Sequence, residues 1–438
     1  MNFVSPLFLP GLALTVFFYR RLPGHARPGL LLMVSLAFFL LDSPASAAVL
    51  LAVIALSWLM GLSLERVQHR KALLLGGSGL MLGNLCVFKA APLGFIPIGI
   101  SFYTFQALAY CVDVYRGRFP AERDPLRYAL FVAFFPQVTA GPIERPGSLM
   151  PQLEACPSPT SGDFRVGGFL ILRGFARKII IADGLAPLVD GLFVRVGGLT
   201  GPEALAACAL FAFQIYADFA GYTDIARGAA RLMGIRLSEN FDHPYRARGL
   251  RDFWRRWHMT LTGWLRDYVY IPLGGSRRGG PRTVINVLIV FALSSLWHGL
   301  GLHFLAWGLA HGLLMLADDR LSRKPGPLLT FIPVCLLWAL FRAPTLSAAG
   351  ALYAALPTGW RLAPALLWSF VHAHPWTILR LAAMPLILLL TDRVPVETDV
   401  PADMKSLLSG YALFLIIMLC LFADLRSDAI TPFIYFQF

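Results

Sequence analysis

Charge is what this chain has least of. Asp, Glu, Lys and Arg make up 14% of its 438 residues, where soluble domains carry about a quarter, so a water-soluble globular fold is the first thing excluded. Acid is scarcer than base, with 25 Asp and Glu against 38 Lys and Arg. Cysteine is sparse: Cys86, Cys111, Cys156, Cys208, Cys335 and Cys420 are scattered, and none forms a CxxC pair. That spacing argues against a disulfide framework or a cysteine metal site and suits small buried hydrophobes. Repeats and low-complexity tracts are missing too. The first apolar stretch lacks a basic flank and a clear cleavage site, so no removable signal peptide is expected.

What fills the chain is apolar sequence, 57% of it, at a mean hydropathy of +0.64. In hydrocarbon only helices and closed barrels satisfy their own backbone groups. Barrel strands would alternate polar and apolar residues, whereas here the apolar runs are continuous. The fold expected is therefore all-α, a polytopic transmembrane helical bundle. Candidate spans lie near 3–19, 28–42, 46–63, 72–88, 95–112, 127–140, 165–195, 204–233, 283–297, 302–317, 326–342, 364–391 and 406–424. Several are short or broken by Gly and Pro, so about eleven true crossings are expected, the others being re-entrant or interfacial, in one integral-membrane domain over 1–438.

The net charge of +13 reads as an excess of arginine in cytoplasmic loops, with an attraction for the bilayer's anionic lipids or for anionic substrates, rather than as nucleic-acid binding. Basic clusters at 20–27, 66–71, 116–127, 246–282 and 320–324 alternate with segments poor in base, such as 42–46 and 344–357. This orients both termini to the outside.

The densest chemistry lies in Phe253-Trp-Arg-Arg-Trp-His258 and its continuation through Trp264-Leu-Arg-Asp-Tyr268 to Ile271-Pro-Leu-Gly-Gly275. At 100° per residue, Phe253, Trp257, Leu261, Trp264 and Tyr268 share one stripe. Residues 251–268 are thus expected to form one amphipathic helix at the inner interface, tryptophans at headgroup level and Arg255 and Arg266 toward water. A plain interfacial anchor accounts for the same pattern.

His298, in Leu296-Trp-His-Gly299, closes an apolar run, where an ionisable side chain is a functional candidate by default. A neutral histidine bonded between helices is the alternative. His303 and His311 read as packing or interface residues, and the histidine spacing matches no familiar metal-ligand pattern. Asp218 and Asp224 sit in an apolar helix, where Tyr222 and Arg227 are placed to satisfy them locally.

Together these motifs resemble the membrane-bound O-acyltransferase family, in the branch of the alginate O-acetyltransferase membrane subunit and the teichoic acid D-alanyl transferase. The residues that carry the resemblance are Asn240-Phe-Asp-His-Pro-Tyr245, Phe253–His258, Arg266–Gly275, Pro97–Gln106, Phe134–Pro142, Gln214–Arg231 and Leu296–Gly299. They fall in a motif-rich core over 97–312, and the tail matches again at Pro432–Phe438. The resemblance implies a helical bundle with a central funnel in a bacterial inner membrane, an acyl thioester donor and no metal. By it His298 corresponds to the catalytic histidine and His258 to the second histidine of the branch. Arg255, Arg256, Trp257, Asn286 and Trp297 are the expected donor-binding or supporting residues. Tyr435, in the aromatic tail over 425–438, resembles the tyrosine of a small partner protein in the D-alanylation system and is a candidate acyl relay; a tail packed on the bundle explains it equally.

The activity expected is O-acyl transfer from a cytoplasmic thioester, acetyl-CoA as donor substrate rather than bound cofactor, for O-acetylation of an exported polysaccharide or cell-wall glycan. An exported partner such as a periplasmic SGNH-type acetyltransferase is implied. Rival readings are D-alanyl transfer from a carrier protein, a scaffold for the exported transferase, and a conduit that moves acyl groups without bond chemistry.

Overall fold

The computed structural model describes residues 3, 5–90, 95–322 and 324–360. Over these the chain is almost wholly helical, as the continuous apolar runs predict, with an isolated antiparallel bridge pairing Phe241 and Trp257. The C-terminal segment, including Tyr435 and the last two candidate spans, lies outside the described residues. Five described helices are long and apolar enough to cross a membrane: Gly24–Asp42, Pro44–Leu64, Arg70–Ala90, Gly201–Arg231 and Gly280–His298. The chain divides into two compact units, Met1–Ile171 with Tyr222–Glu239, and Leu172–Gly221 with Asn240–Phe438.

The first unit holds helices at Phe8–Arg21, Arg27–Asp42, Pro44–Leu64, Arg70–Ala90, Ile100–Tyr115 and Pro125–Ala133. Leu14, Phe17, Leu59, Leu75, Leu80 and Val87 stand exposed on them, the surface expected of helices that face lipid. Polar groups turn inward and pair. Gln106 Nε2 donates to the Phe131 carbonyl at 2.6 Å, Gln137 Nε2 to Gln106 Oε1 at 2.8 Å, and the Tyr128 hydroxyl to Ser57 Oγ at 2.7 Å. The apolar run 127–140 is not a continuous span. Its helix ends at Ala133, and Pro136 sits in the first turn of a new short helix, Phe135–Val138, where the N–H groups lack a helical partner in any case. Beyond it Glu144, 1% exposed, accepts from the Ser238 amide at 2.5 Å and the Ser238 hydroxyl at 3.1 Å. Burial raises its carboxyl to about 7.

In the second unit, the helices Gly280–His298 and Leu302–Asp318 form a hairpin around the turn Gly299–Gly301. They approach so closely that a Cβ on Gly308 would meet Ser295 Oγ and lie 2.6 Å from the Phe291 carbonyl. Small residues at such crossings are how helices pack when lipid removes the hydrophobic drive between them. Pro327–Arg342 and Leu346–Ala355 follow. Residues 176–183 form a wide π-helical turn that buries Lys178 between Asp218 at 2.8 Å and Asp183 at 2.9 Å. Asp218 thus has a cation partner that helical spacing did not indicate. Its cation comes from forty positions earlier, while the Tyr222 hydroxyl bonds Thr139 Oγ1 at 2.7 Å.

Candidate active site

His258 does not ride on one long amphipathic helix. The segment 251–268 breaks into Leu250–Arg256 and Met259–Leu265, followed by a π-helical turn at Arg266–Tyr270. The break falls at Trp257–His258, where Trp257 is extended and His258 takes φ 42° and ψ 54°. A left-handed histidine is uncommon, and here Asn240 holds it. Asn240 Oδ1 accepts from Thr260 Oγ1 at 2.6 Å and the Thr260 amide at 3.2 Å, and lies 3.3 Å from His258 Nδ1. The Met259 amide donates to the Asn240 carbonyl at 2.9 Å, and the Asp242 amide to the Arg256 carbonyl at 3.0 Å. Because Oδ1 is an acceptor in all three contacts, Nδ1 carries the proton and Nε2 the lone pair.

The expected headgroup-level tryptophans are also corrected. Trp254, Trp257 and Trp264 are buried, so the stripe packs into the protein rather than lying on a lipid surface. Trp257 stacks on Phe253 at a centroid distance of 5.6 Å and meets Trp338 at 4.8 Å. His258 is 1% exposed, edge-on to Phe219 at 4.7 Å and to Trp297 at 5.6 Å. Burial pushes its imidazole down to about 3, so it is neutral throughout the physiological range.

His298 is the last residue of the Gly280–His298 helix, and its ring is buried against Trp297 at 4.8 Å, Phe341 at 5.0 Å and Trp307 at 5.4 Å. Trp297 therefore touches both histidines, and the two imidazoles share one aromatic enclosure. The turn after His298 is tight, since a Cβ on Gly299 would overlap the Phe304 ring.

The other expected residues are placed unevenly. Arg256 pairs with Asp242 at 2.9 Å and Asp252 at 3.0 Å, and Arg255 is exposed. Asn286 is fully buried and donates to the Gly275 carbonyl at 2.9 Å and the Leu273 carbonyl at 3.4 Å, tying down the Pro-Leu-Gly-Gly turn. Sequence reasoning missed Asn240, Trp307, Trp338 and Phe341. Asn240 opened a quoted motif, but nothing in its position announced that it grips His258. Among the described residues no group of three or more His, Cys, Asp or Glu side chains is arranged to hold a metal ion.

The enclosure pairs a helix-terminal imidazole with a second one of fixed tautomer, in aromatic surroundings poor in water. That combination suits proton transfer to and from a neutral substrate. Residues 122–324 match the model of the membrane-bound O-acyltransferase family. A probable alginate O-acetylase of Azotobacter vinelandii is 35% identical over 380 residues, 78% of this chain and 76% of that relative. The chain belongs to the membrane-bound O-acyltransferase family. A probable alginate O-acetylase of Pseudomonas fluorescens is 40% identical over 269 residues, 60% of this chain and 54% of the relative. A peptidoglycan O-acetyltransferase of Helicobacter pylori is 34% identical over 291 residues, 58% and 55% respectively. The chain thus spans about half the length of two of these relatives and three-quarters of the third. Membership, with relatives named for O-acetylation, supports an O-acyltransferase activity in a multi-pass membrane protein.

Proposed function

We propose that the protein transfers an acetyl group from cytoplasmic acetyl-CoA to a hydroxyl destined for an exported polysaccharide or cell-wall glycan, with His298 as general base. The observation that carries this reading is the pair of buried imidazoles sharing the Trp297 ring. A hydroxyl is a weak nucleophile near neutral pH and needs a base within hydrogen-bond reach. His298 ends a helix, its ring buried among Trp297, Trp307 and Phe341. His258, neutral and with its lone pair on Nε2, orients the thioester or the hydroxyl. The site would sit in a bacterial inner membrane with both termini outside. Tyr435 would pass the group to an exported SGNH-type transferase, a role that Tyr435→Phe tests directly.

The decisive experiment is label transfer from acetyl-CoA to polymer in membranes, with wild type compared to His298→Ala and His298→Gln at matched protein levels. Loss of about a hundredfold or more in both variants is expected from removing a general base. Retained transfer would overturn His298 as the general base. Transfer from a D-alanyl carrier, and none from acetyl-CoA, would replace the donor.

A further inference from the structure

A third histidine of the same unit has no part in that mechanism. His311, on the Leu302–Asp318 helix, is 0% exposed, and neither ring nitrogen has a hydrogen-bond partner among the described residues. Rings enclose it: Phe253 and Phe291 lie nearly parallel to it at 6.3 and 6.5 Å, and Trp254 and Trp307 stand edge-on at 5.1 and 5.2 Å. The indole nitrogens of Trp254, Trp307 and Trp338 are likewise buried with no partner among the described residues. These are not dispersed. Trp307 lies 5.8 Å from Trp254 and 5.7 Å from Trp338, and Trp338 lies 6.4 Å from His311.

Five hydrogen-bonding nitrogens without a partner among the described residues thus belong to one cluster of four rings. An orphaned buried polar group is costly, and native proteins leave only a few per hundred residues. Phenylalanine would fill the same space at no such cost. Trp307 also stands 5.4 Å from the ring of His298, so the cluster borders the proposed base.

We propose that His311 with Trp254, Trp307 and Trp338 forms a hydrogen-bonding socket for the carbonyl oxygen of the donor thioester. This rests on the acetyl-transfer reading and adds the residues that hold the reacting carbonyl. The match is chemical. A carbonyl oxygen accepts hydrogen bonds and donates none, an indole N–H only donates, and a neutral imidazole supplies one donor. When the hydroxyl oxygen attacks the carbonyl carbon, the C=O π pair moves onto oxygen and His298 takes the hydroxyl proton. The socket N–H groups hold that oxyanion. The pair then returns, the C–S bond breaks, sulfur leaves as thiolate and receives the proton from His298, giving ester and thiol. Fixed donors in a site poor in water are the most effective means of stabilising such a charge.

His311→Phe and Trp307→Phe each keep a ring and remove nitrogen. In membranes, label transfer is measured against acetyl-CoA concentration, and the thermal midpoint is measured on the purified full chain. The expected result is a fall in kcat of about tenfold or more, KM within about threefold, and a midpoint at or above wild type, because unsatisfied polar atoms are gone. Transfer within twofold of wild type would overturn the socket and leave ordered water or plain packing as the occupant. Should His311→Phe not accumulate, Trp338→Phe carries the same test, and collapse of all three variants would overturn the proposal in favour of a packing role. If wild type takes nothing from acetyl-CoA, the donor reading itself has failed, a result distinguishable from a socket failure, where wild type is active and the variants match it.

Discussion

Asn240 is the residue whose removal should disturb the site most without touching either imidazole. Its side-chain oxygen accepts from the Thr260 hydroxyl at 2.6 Å and the Thr260 amide at 3.2 Å, and faces His258 Nδ1 at 3.3 Å. In Asn240→Ala the Thr260 groups, part-buried, recover some bonding to water. The His258 N–H, in a residue 1% exposed, does not. Leaving a buried donor unmade costs about 1–3 kcal/mol. Two further bonds at a net worth of about 0.5–1.5 kcal/mol each, partly replaced by water, bring the loss to about 2–4 kcal/mol. That is enough to release His258 from its left-handed conformation, which itself costs about 1–2 kcal/mol.

The thermal midpoint in detergent should fall by a few degrees. Acetyl transfer should fall by much more, about ten- to a hundredfold, because a displacement of about 1 Å at a reacting group costs that much. Asn240→Asp keeps an acceptor but puts a carboxylate beside Nδ1, which favours the imidazolium. It should introduce an acid limb into the pH–rate profile where wild type, with His258 held near 3, shows none from this residue. An Asn240→Ala variant with wild-type transfer and midpoint would refute the idea that this amide positions His258.

Lys178→Met leaves Asp218, 1% exposed, without the cation at 2.8 Å; breaking a buried pair costs about 3–5 kcal/mol, so the midpoint or the yield in membranes should drop sharply. Asp218→Asn should be milder, because Lys178 keeps Asp183 at 2.9 Å. Gly308→Ala places a Cβ 2.6 Å from the Phe291 carbonyl, backbone that cannot yield, and overpacking of about 1–3 kcal/mol should lower both midpoint and transfer, since the same helix pair carries His298. For Glu144, raised to about 7 by burial, the folded state binds the proton more tightly than the unfolded chain. Its contribution is full below about pH 4.5 and is lost as pH rises through 7, on the order of 3 kcal/mol at most. The wild-type midpoint should therefore decline from pH 5 to 8 more steeply than that of Glu144→Gln; parallel curves would contradict it.

The helical membrane fold was legible because long apolar runs leave the backbone no other solution. The interruption near Phe134 was visible in principle, since Pro136 disfavours the interior of a helix and favours its first turn. The break at Trp257–His258 was not. No glycine or proline marks it, and the hydrophobic stripe runs straight through. It is imposed from Asn240 and by the bridge between Phe241 and Trp257, and a periodicity count along 251–268 has no access to those contacts. His298 stood out because an ionisable side chain in an apolar run is conspicuous. Its neighbours Trp307 and Phe341 did not, because helix packing brings them to it from distant positions. The lysine that pairs with Asp218 was hidden for the same reason, since a π-helical turn forty positions earlier lies outside any periodicity along that helix.

A common thread links these cases. Several cations of the second unit are paired with carboxylates: Lys178 with Asp218 and Asp183, Arg256 with Asp242 and Asp252, Arg251 with Asp319. What surrounds the imidazoles is rings, with Phe219 and Trp297 on His258 and Trp297, Trp307 and Phe341 on His298. Such an enclosure discriminates by shape and by the few N–H groups it offers, since an ion entering it would forfeit hydration with little in return. A neutral thioester and a neutral hydroxyl meet no such penalty. On the proposed reaction, charge would appear only in the transition state, as an oxyanion and an imidazolium side by side, where a buried site makes their mutual attraction strongest.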